Sequence, residues 1–585
     1  MRRNIVPTQP SNSWQKIADQ RRFQIDSRIS PEWRVPKEML TGKNLVDLPR
    51  RCGLMSKEEL DITESNAVEI VSAIREGTLT AVDTTAAFCK RAAIAHQATN
   101  CLAEVHFEEA LLQAAELDEY MRVHRRPKGM LHGLPISVKE HIKMKGTTAT
   151  SGLIALANDV SDEDALIVRT FREQGAVFYV KTTNPQTLMA IETDSNLFGR
   201  TLNPHNTNLA CGGSTGGEGA LLSMRGSVLG IGTDIGGSIR VPGAFCGVYG
   251  FKPSIGRMPH SGLSGLSDGM QNVVGVIGPL ALCLDDLELF CRAALNNEPW
   301  KDEPSLLEIP WKIDMTIPEK LRIGVMWSDG VVQPHPPITR ALKQVVASLQ
   351  NQGHSVIDWN PQFHQEIYDV VNEAYFLDGG AEYHKLLEEG QEPPVPIVKW
   401  LLDEKATRHY SVEDSWRVNR DMDKLRTLYA KQWNRHDVDA IICPANAAAA
   451  SAHDENRYWG YTCVWNALDF PALVFPVSSV EQTDHWSSFE PLHPPSSPMD
   501  MWHRSLYDDS NGPLKYEGAP VSLQVVGRRL NGEKVLRITS NIVDMLKSPI
   551  TASISKKNMV DKVPVTQPFS NLQNVCTQTL FIRYI

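Results

Sequence analysis

The chain has 585 residues, 42% of them hydrophobic and 22% charged, the balance of a globular protein with room for a large core. Lys plus Arg number 59 against 69 Asp plus Glu, a formal charge of −10, which argues against nucleic acid or an anionic membrane as partner. No apolar run approaches the roughly 18 residues of a membrane span, and the start MRRNIVPTQPSNSWQK has no apolar segment behind its positive charge, so it does not read as a secretory signal. The ten cysteines form no CxxC pair and no zinc-spaced cluster with histidine, which fits reduced, mostly buried thiols of a cytoplasmic protein.

In chain order, residues 1–57 are polar and interrupted by proline, with aromatic anchors at Trp14, Phe23 and Trp33, and read as an arm laid on a larger body. Ala67, Ile70, Val71 and Ile74 share a helical face that Gly77 closes. Thr80 and Asp83 resemble a capping box for a helix running through Cys89 and Ala92, and Phe107 to Met121 keeps helical spacing in a third. Pro135–Val138 is a short buried strand that Lys139 ends. Residues 164–174 form a helix closed by Gly175, and Ala176–Thr182 is an all-apolar strand before its polar end, the signature of parallel strands with both faces covered. The pattern returns in KLRIGVMW (320–327), the helix 336–350, HSVIDW (354–359), DAIICPA (439–445), FPALVFPV (470–477), APVSLQVVGRR (519–529) and the helix Glu533–Leu546. Residues 482–518 are rich in Pro, Ser, His and Asp and read as a loose insertion. Residues 551–585 have no helical or strand period and are expected to be poorly ordered. The expected fold is a single large α/β domain, a mixed and mostly parallel sheet with helices on both faces, over 58–548, flanked by the arm 1–57 and the tail 549–585.

The most informative stretch is Cys211 to Ser254, CGGSTGGEGALLSMRGSVLGIGTDIGGSIRVPGAFCGVYGFKPS. Three hydroxyls, Ser214, Thr215 and Ser238, stand among glycines, which let a substrate approach main-chain N–H groups closely. That is the composition of an acyl-transfer site: a nucleophile beside donors for an oxyanion. No lysine follows the glycines as a phosphate-binding loop requires, and Gly230-Ile-Gly232-Thr-Asp-Ile-Gly236 is one residue too long for a dinucleotide fingerprint. Gly212-Gly-Ser214-Thr-Gly216 satisfies the GxSxG elbow of α/β-hydrolases, with Ser214 as nucleophile of an esterase, but the polar HNTNLACGG before it is not the buried strand that elbow follows.

Taken with LPISVKE around Lys139, GGSTGGEGAL…GIGTDIGGSIRVPGAFCGVYGFKPS resembles the amidase signature family, over roughly residues 50–548. SPEWRV, FCKRAAIAHQATNC, LHGLPIS, GAVFYVKTTNPQTLM and LQVVGRRL look more narrowly like fungal acetamidases. The resemblance implies a Ser–cis-Ser–Lys triad: Ser238 as nucleophile, Ser214 as bridging serine after a cis peptide bond from Gly213, and Lys139 as base. It also implies an oxyanion hole from the N–H groups of Ile235, Gly236, Gly237 and Ser238, and no cofactor or metal. Thr215 stands where a second serine is usual and Glu140 where aspartate is common, while the tail after about 550 has no counterpart in the family.

Amide hydrolysis then requires Lys139 to be neutral. Its ordinary pKa near 10.4 must fall to 7–8, which takes roughly 3–4 kcal/mol of desolvation or like-charge pressure. Asp234 and Arg240 read as a pair that shapes the loop, Thr233 as a hydrogen-bonding neighbour, Pro242 as a first-turn residue of a short helix behind Ser238, and Thr182 and Asn184 as lining residues. The expected reaction is hydrolysis of small, acetamide-like amides to carboxylate and ammonia. The expected partner is that small substrate, with a homodimer compatible with the reading. The alternatives are a glutaminase-type subunit of a transamidation complex and a catalytically dead relative used as a scaffold.

Overall fold

A computed structural model describes residues 13–486, 494–508 and 511–547. Its first half contributes strands β1 (Leu102–Val105), β2 (Pro135–Lys139), β3 (Val177–Thr182), β4 (Leu229–Asp234), β5 (Tyr249–Lys252) and β6 (Val276–Ala281). The second half adds β7 (Arg322–Val325), β8 (Ser355–Asp358), β9 (Ala440–Pro444), β10 (Ala472–Ser479) and β11 (Pro520–Val526). All eleven join one sheet in the order β1-β3-β2-β4-β6-β5-β10-β11-β9-β7-β8, with helices covering both faces.

The sheet is mixed, but the expected predominance of parallel pairing is not found. Four of its ten neighbour pairs are parallel and six antiparallel. Parallel pairing follows the crossover helices, as parallel strands require. Helix Leu166–Glu173 lies between β2 and β3, and helix Pro336–Asn351 between β7 and β8. The centre, β6-β5-β10-β11, is built without such crossovers and pairs antiparallel.

The N-terminal residues are tied to this body by specific contacts. Arg28 donates to the carbonyl of Val105 at 2.8 Å, Leu45 N–H donates to the Pro204 carbonyl at 2.8 Å, and the Trp33 ring meets Phe107 edge-on. Helix Ala67–Glu76 closes on Gly77 at φ +76°, and Asn66 and Glu69 form a capping box at its start. Helix Ala81–Thr99 runs seven residues beyond Ala92. Its Thr80 hydroxyl accepts from Asp83 N–H, but the Asp83 carboxylate takes a bond from that hydroxyl instead of from the Thr80 amide, so the capping box is only half made.

Residues 482–518 depart from the sequence reading. They carry helices Pro498–Ser505 and Gly512–Lys515, and the buried rings of Tyr507 and Tyr516 stack at 5.5 Å beside buried His335. The polar residues that suggested a loose segment serve as helix caps and ties. Ser497 accepts from Asp500 N–H, Pro498 opens the helix, and Asp500 accepts from Gln333 N–H at 2.9 Å. Residues 487–493 and 509–510 lie outside the described residues, as does the tail 551–585.

Candidate active site

Strand β2 lies between β3 and β4 and is parallel to both, with Ser137 opposite Gly230 and Val138 opposite Ile231. The carboxyl ends of β2 and β4 therefore lie side by side, where open α/β sheets place their ligand crevices. This brings Lys139, the last residue of β2, against Thr233 near the end of β4. Lys139 Nζ is 2.8 Å from Thr233 Oγ1 and 2.7 Å from Ser214 Oγ, and the lysine is fully buried. Burial brings its pKa down to about 7, against the opposing pull of Asp234, Glu140 and Glu218. Burial also pushes the carboxyl of Glu218 up to about 8, even though the Ser137 and Thr182 hydroxyls donate to it.

Ser214 follows a cis peptide bond from Gly213 and precedes helix Gly216–Ser223. The segment before it, 209–213, contains no named strand, so the elbow geometry of an α/β-hydrolase is absent around Ser214. Thr215 joins the two sides of the site. Its N–H donates to the Ser238 carbonyl at 3.1 Å and its hydroxyl to the Thr233 carbonyl at 3.2 Å. Ser238 sits in the turn between β4 and helix Arg240–Cys246 and shares a cavity of about 820 Å³ with Ser214, Thr233, Asp234 and Ile235.

Asp234 and Arg240, both fully buried, brace this turn from within. Arg240 Nη2 and Nε donate to the two carboxylate oxygens of Asp234 at 2.9 and 3.0 Å. The carboxylate also accepts from the N–H of Gly237 at 2.9 Å and of Ile239 at 3.1 Å. These bonds, with Arg240 foremost, hold Asp234 ionised far below the usual carboxylate range despite its burial. The expected four-donor oxyanion hole is corrected accordingly: the Gly237 amide is committed to Asp234. Among the described residues, the amides of Ile235, Gly236 and Ser238 make no hydrogen bond within the protein. Two glycines leave little room for a side chain here, and the backbone at Gly237 is one that favours glycine. A Cβ on Gly237, at φ +138°, would lie 2.4 Å from Thr462 Oγ1, and one on Gly236 would lie 2.7 Å from the Tyr375 hydroxyl. Pro242 is the third residue of helix Arg240–Cys246, within its first turn.

Thr182 and Asn184 do not line the cavity. Thr182 donates to Glu218 at 2.9 Å, and Asn184 is buried beside Pro185. Sequence reasoning missed several residues that hold the site. The Tyr375 hydroxyl donates to the Ile235 carbonyl at 2.6 Å, Thr462 Oγ1 to the Gly236 carbonyl at 2.6 Å, and Asn466 Nδ2 to Asp234 Oδ1 at 3.0 Å. His141, with Nε2 2.9 Å from Thr233 Oγ1, was also missed, although it stands two residues past Lys139. Nine cysteines are described, none in a disulfide, and no group of three or more His, Cys, Asp or Glu among the described residues is placed to hold a metal.

A low-pKa lysine bonded to a serine that follows a cis peptide, beside a second serine in a cup of main-chain amides, defines a hydrolase of the acyl-transfer class. The Amidase family model matches residues 83–536, and the chain belongs to the amidase signature family. It is 40% identical to an acetamidase of Aspergillus oryzae over 552 residues, covering 92% of this chain and 99% of that protein. It is likewise 40% identical to an acetamidase of Emericella nidulans over 554 residues, covering 92% and 99%. Among solved structures it is similar to a fatty acid amide hydrolase, with TM-score 0.88 and 34% identity over 92% of this chain and 96% of that one. The chain is thus a hydrolase that acts on amide bonds through the Ser–cis-Ser–Lys chemistry of its family. No helix among the described residues is long and apolar enough to cross a membrane.

Proposed function

We propose that this amidase hydrolyses unsubstituted carboxylic amides, RCONH2 + H2O → RCOOH + NH3, through an acyl-enzyme on Ser238. The observation that carries the reading is Lys139: fully buried, with a pKa near 7 and its Nζ 2.7 Å from Ser214. At neutral pH a large share of this lysine is the free amine, able to take a proton from the Ser214 hydroxyl while Ser214 takes the proton of Ser238. The Ser238 oxygen then attacks the amide carbon, and the carbonyl π electrons move to oxygen. The N–H groups of Ile235, Gly236 and Ser238 receive that oxyanion, since the Gly237 amide is spent on Asp234. As the C–N bond breaks, the leaving nitrogen takes a proton from Ser214, which Lys139 replenishes, and ammonia departs. Water repeats the sequence on the ester, releasing the carboxylate and restoring Ser238.

Acetamide is the first substrate to test, because the two 40%-identical fungal relatives are acetamidases. The cavity favours a second reading within the same chemistry. At about 820 Å³ it lies among sites that take drug-sized ligands, roughly 300–1,000 Å³, and acetamide would fill little of it. Met189, Ile235, Leu263, Leu266 and Met270 give it an apolar wall suited to a longer acyl chain. Ammonia release across straight-chain amides from formamide to dodecanamide, with glutamine alongside, distinguishes the cases. A maximum in kcat/KM at two carbons supports the acetamidase reading, and a rise toward longer chains supports the second. Activity confined to glutamine contradicts both.

A further inference from the structure

The Lys139–Ser214 contact has a second tier behind it. Lys139 Nζ also contacts Thr233 Oγ1 at 2.8 Å, Thr233 Oγ1 is 2.9 Å from His141 Nε2, and His141 Nδ1 is 2.7 Å from the carbonyl oxygen of Ser264. A carbonyl can only accept, so Nδ1 carries the proton and donates it. A neutral ring then presents a bare lone pair at Nε2, and Thr233 must donate its hydroxyl proton there. With that proton spent, the Thr233 oxygen faces Lys139 as an acceptor only. The neutral amine therefore gives one N–H to Thr233, and its lone pair is left for the Ser214 hydroxyl.

We propose that His141 is a positioning residue for the base: through Thr233 it fixes the rotation of the Lys139 amine so that the lone pair meets Ser214. The inference rests on Lys139 acting as base in the proposed reaction.

Burial supports it, since His141 is almost entirely enclosed and its pKa lies well below the ordinary imidazole range, first from desolvation and then from Lys139. Asp234, Glu140 and Glu218 face Lys139, while the groups that bear on His141 are Lys139, His260 and Lys181, all of which add to burial in keeping the ring neutral. Ser264 also ties this relay to the cavity-lining loop. Its N–H donates to the His141 carbonyl at 2.9 Å, and Leu263, Ser264, Leu266 and Met270 line the cavity. The loop that lines the cavity thus sets the tautomer that aims the base.

Without an acceptor at Nε2, the Thr233 hydroxyl is free to donate to the amine lone pair. It would compete with Ser214 and stabilise the neutral amine. Two changes follow together in His141→Phe: a fall in the plateau rate and a displacement of the acid limb to lower pH. A purely structural role would lower the rate without moving the limb.

The test is the pH dependence of Ser238 modification by a fluorophosphonate and of amide kcat/KM, in wild type, His141→Phe, His141→Gln and Thr233→Val, with thermal midpoints as the folding control. His141→Phe is expected to lose about tenfold in plateau rate, the scale of one misdirected hydrogen bond, and to move its acid limb down by about half a pH unit. His141→Gln, which can place an oxygen acceptor near the position of Nε2, keeps the wild-type limb and most of the rate. Thr233→Val also moves the limb down, and adding His141→Phe to it causes no further shift. A folded His141→Phe with an unmoved limb overturns the inference. If that variant does not fold, an active Thr233→Val with an unmoved limb overturns it. A wild type that the probe does not modify at Ser238 removes the functional reading and this inference with it. A modified wild type with unmoved variants removes this inference alone.

Discussion

Asp234 and Arg240 grip each other across the turn that carries Ser238, with guanidinium-to-carboxylate contacts of 2.9 and 3.0 Å and neither residue exposed. The same carboxylate holds the amides of Gly237 and Ile239, and Arg240 reaches on to the Thr462 carbonyl at 2.9 Å and Asn466 Oδ1 at 2.6 Å. One buried pair thereby locks the backbone on both sides of Ser238 to helix Gly460–Ala467.

Asp234→Ala leaves a guanidinium buried without its counter-ion and frees three backbone amides, those of Gly237, Ile239 and Arg240. Breaking a buried pair of this kind costs about 3–5 kcal/mol. The expected outcome is a destabilised protein in denaturant titration, with kcat reduced more than KM is raised, because the oxyanion donors lose their fixed aim.

Lys139→Ala removes the base but leaves both serines. Loss of a general base costs about 10²–10⁴-fold. In wild type, activity should rise with pH through about 7, as the buried amine loses its proton. In the variant that limb disappears, and the residual rate climbs with hydroxide concentration, giving partial recovery in alkaline buffer. Full activity of Lys139→Ala at pH 7 in an ammonia-release assay would remove the lysine from the reaction.

The same burial has a stability signature. The folded state lowers the Lys139 pKa from 10.5 to about 7, so between those values the unfolded chain binds more protons and stability rises with pH. The shift is worth roughly 5 kcal/mol across that range, and the full cost is present below pH 7. Lys139→Met removes the charge and conserves an apolar shape. It should be inactive yet more stable than wild type at pH 6, with the advantage shrinking as pH rises toward 10. Thermal midpoints at several pH values measure this, and a difference that stays constant with pH would mean the lysine is not desolvated.

The residues at the heart of the site were legible because they lie in contiguous motifs. Lys139 ends an apolar strand, and Ser214 and Ser238 stand out among glycines. Strands β3, β7, β9 and β11 were legible for the same reason, as apolar or β-branched runs bounded by breakers. Strands β4, β5 and β6 were not singled out, since Gly230, Gly232, Gly250 and Gly278 dilute their strand character. Tyr375, Thr462 and Asn466 were out of reach, because they arrive at the turn 140, 226 and 232 residues along the chain from their partners. The commitment of the Gly237 amide to Asp234 depends on how the turn is folded, which composition does not encode. His141 was closer at hand, since a residue two beyond a strand-ending lysine can share its side of the sheet.

The most direct test of the account is to find which side chain is acylated. Wild type treated with a fluorophosphonate, digested and mapped by mass spectrometry should carry the adduct on Ser238, and Ser238→Ala should carry none. An adduct on Ser214, or on any residue outside the 235–238 turn, would contradict the account.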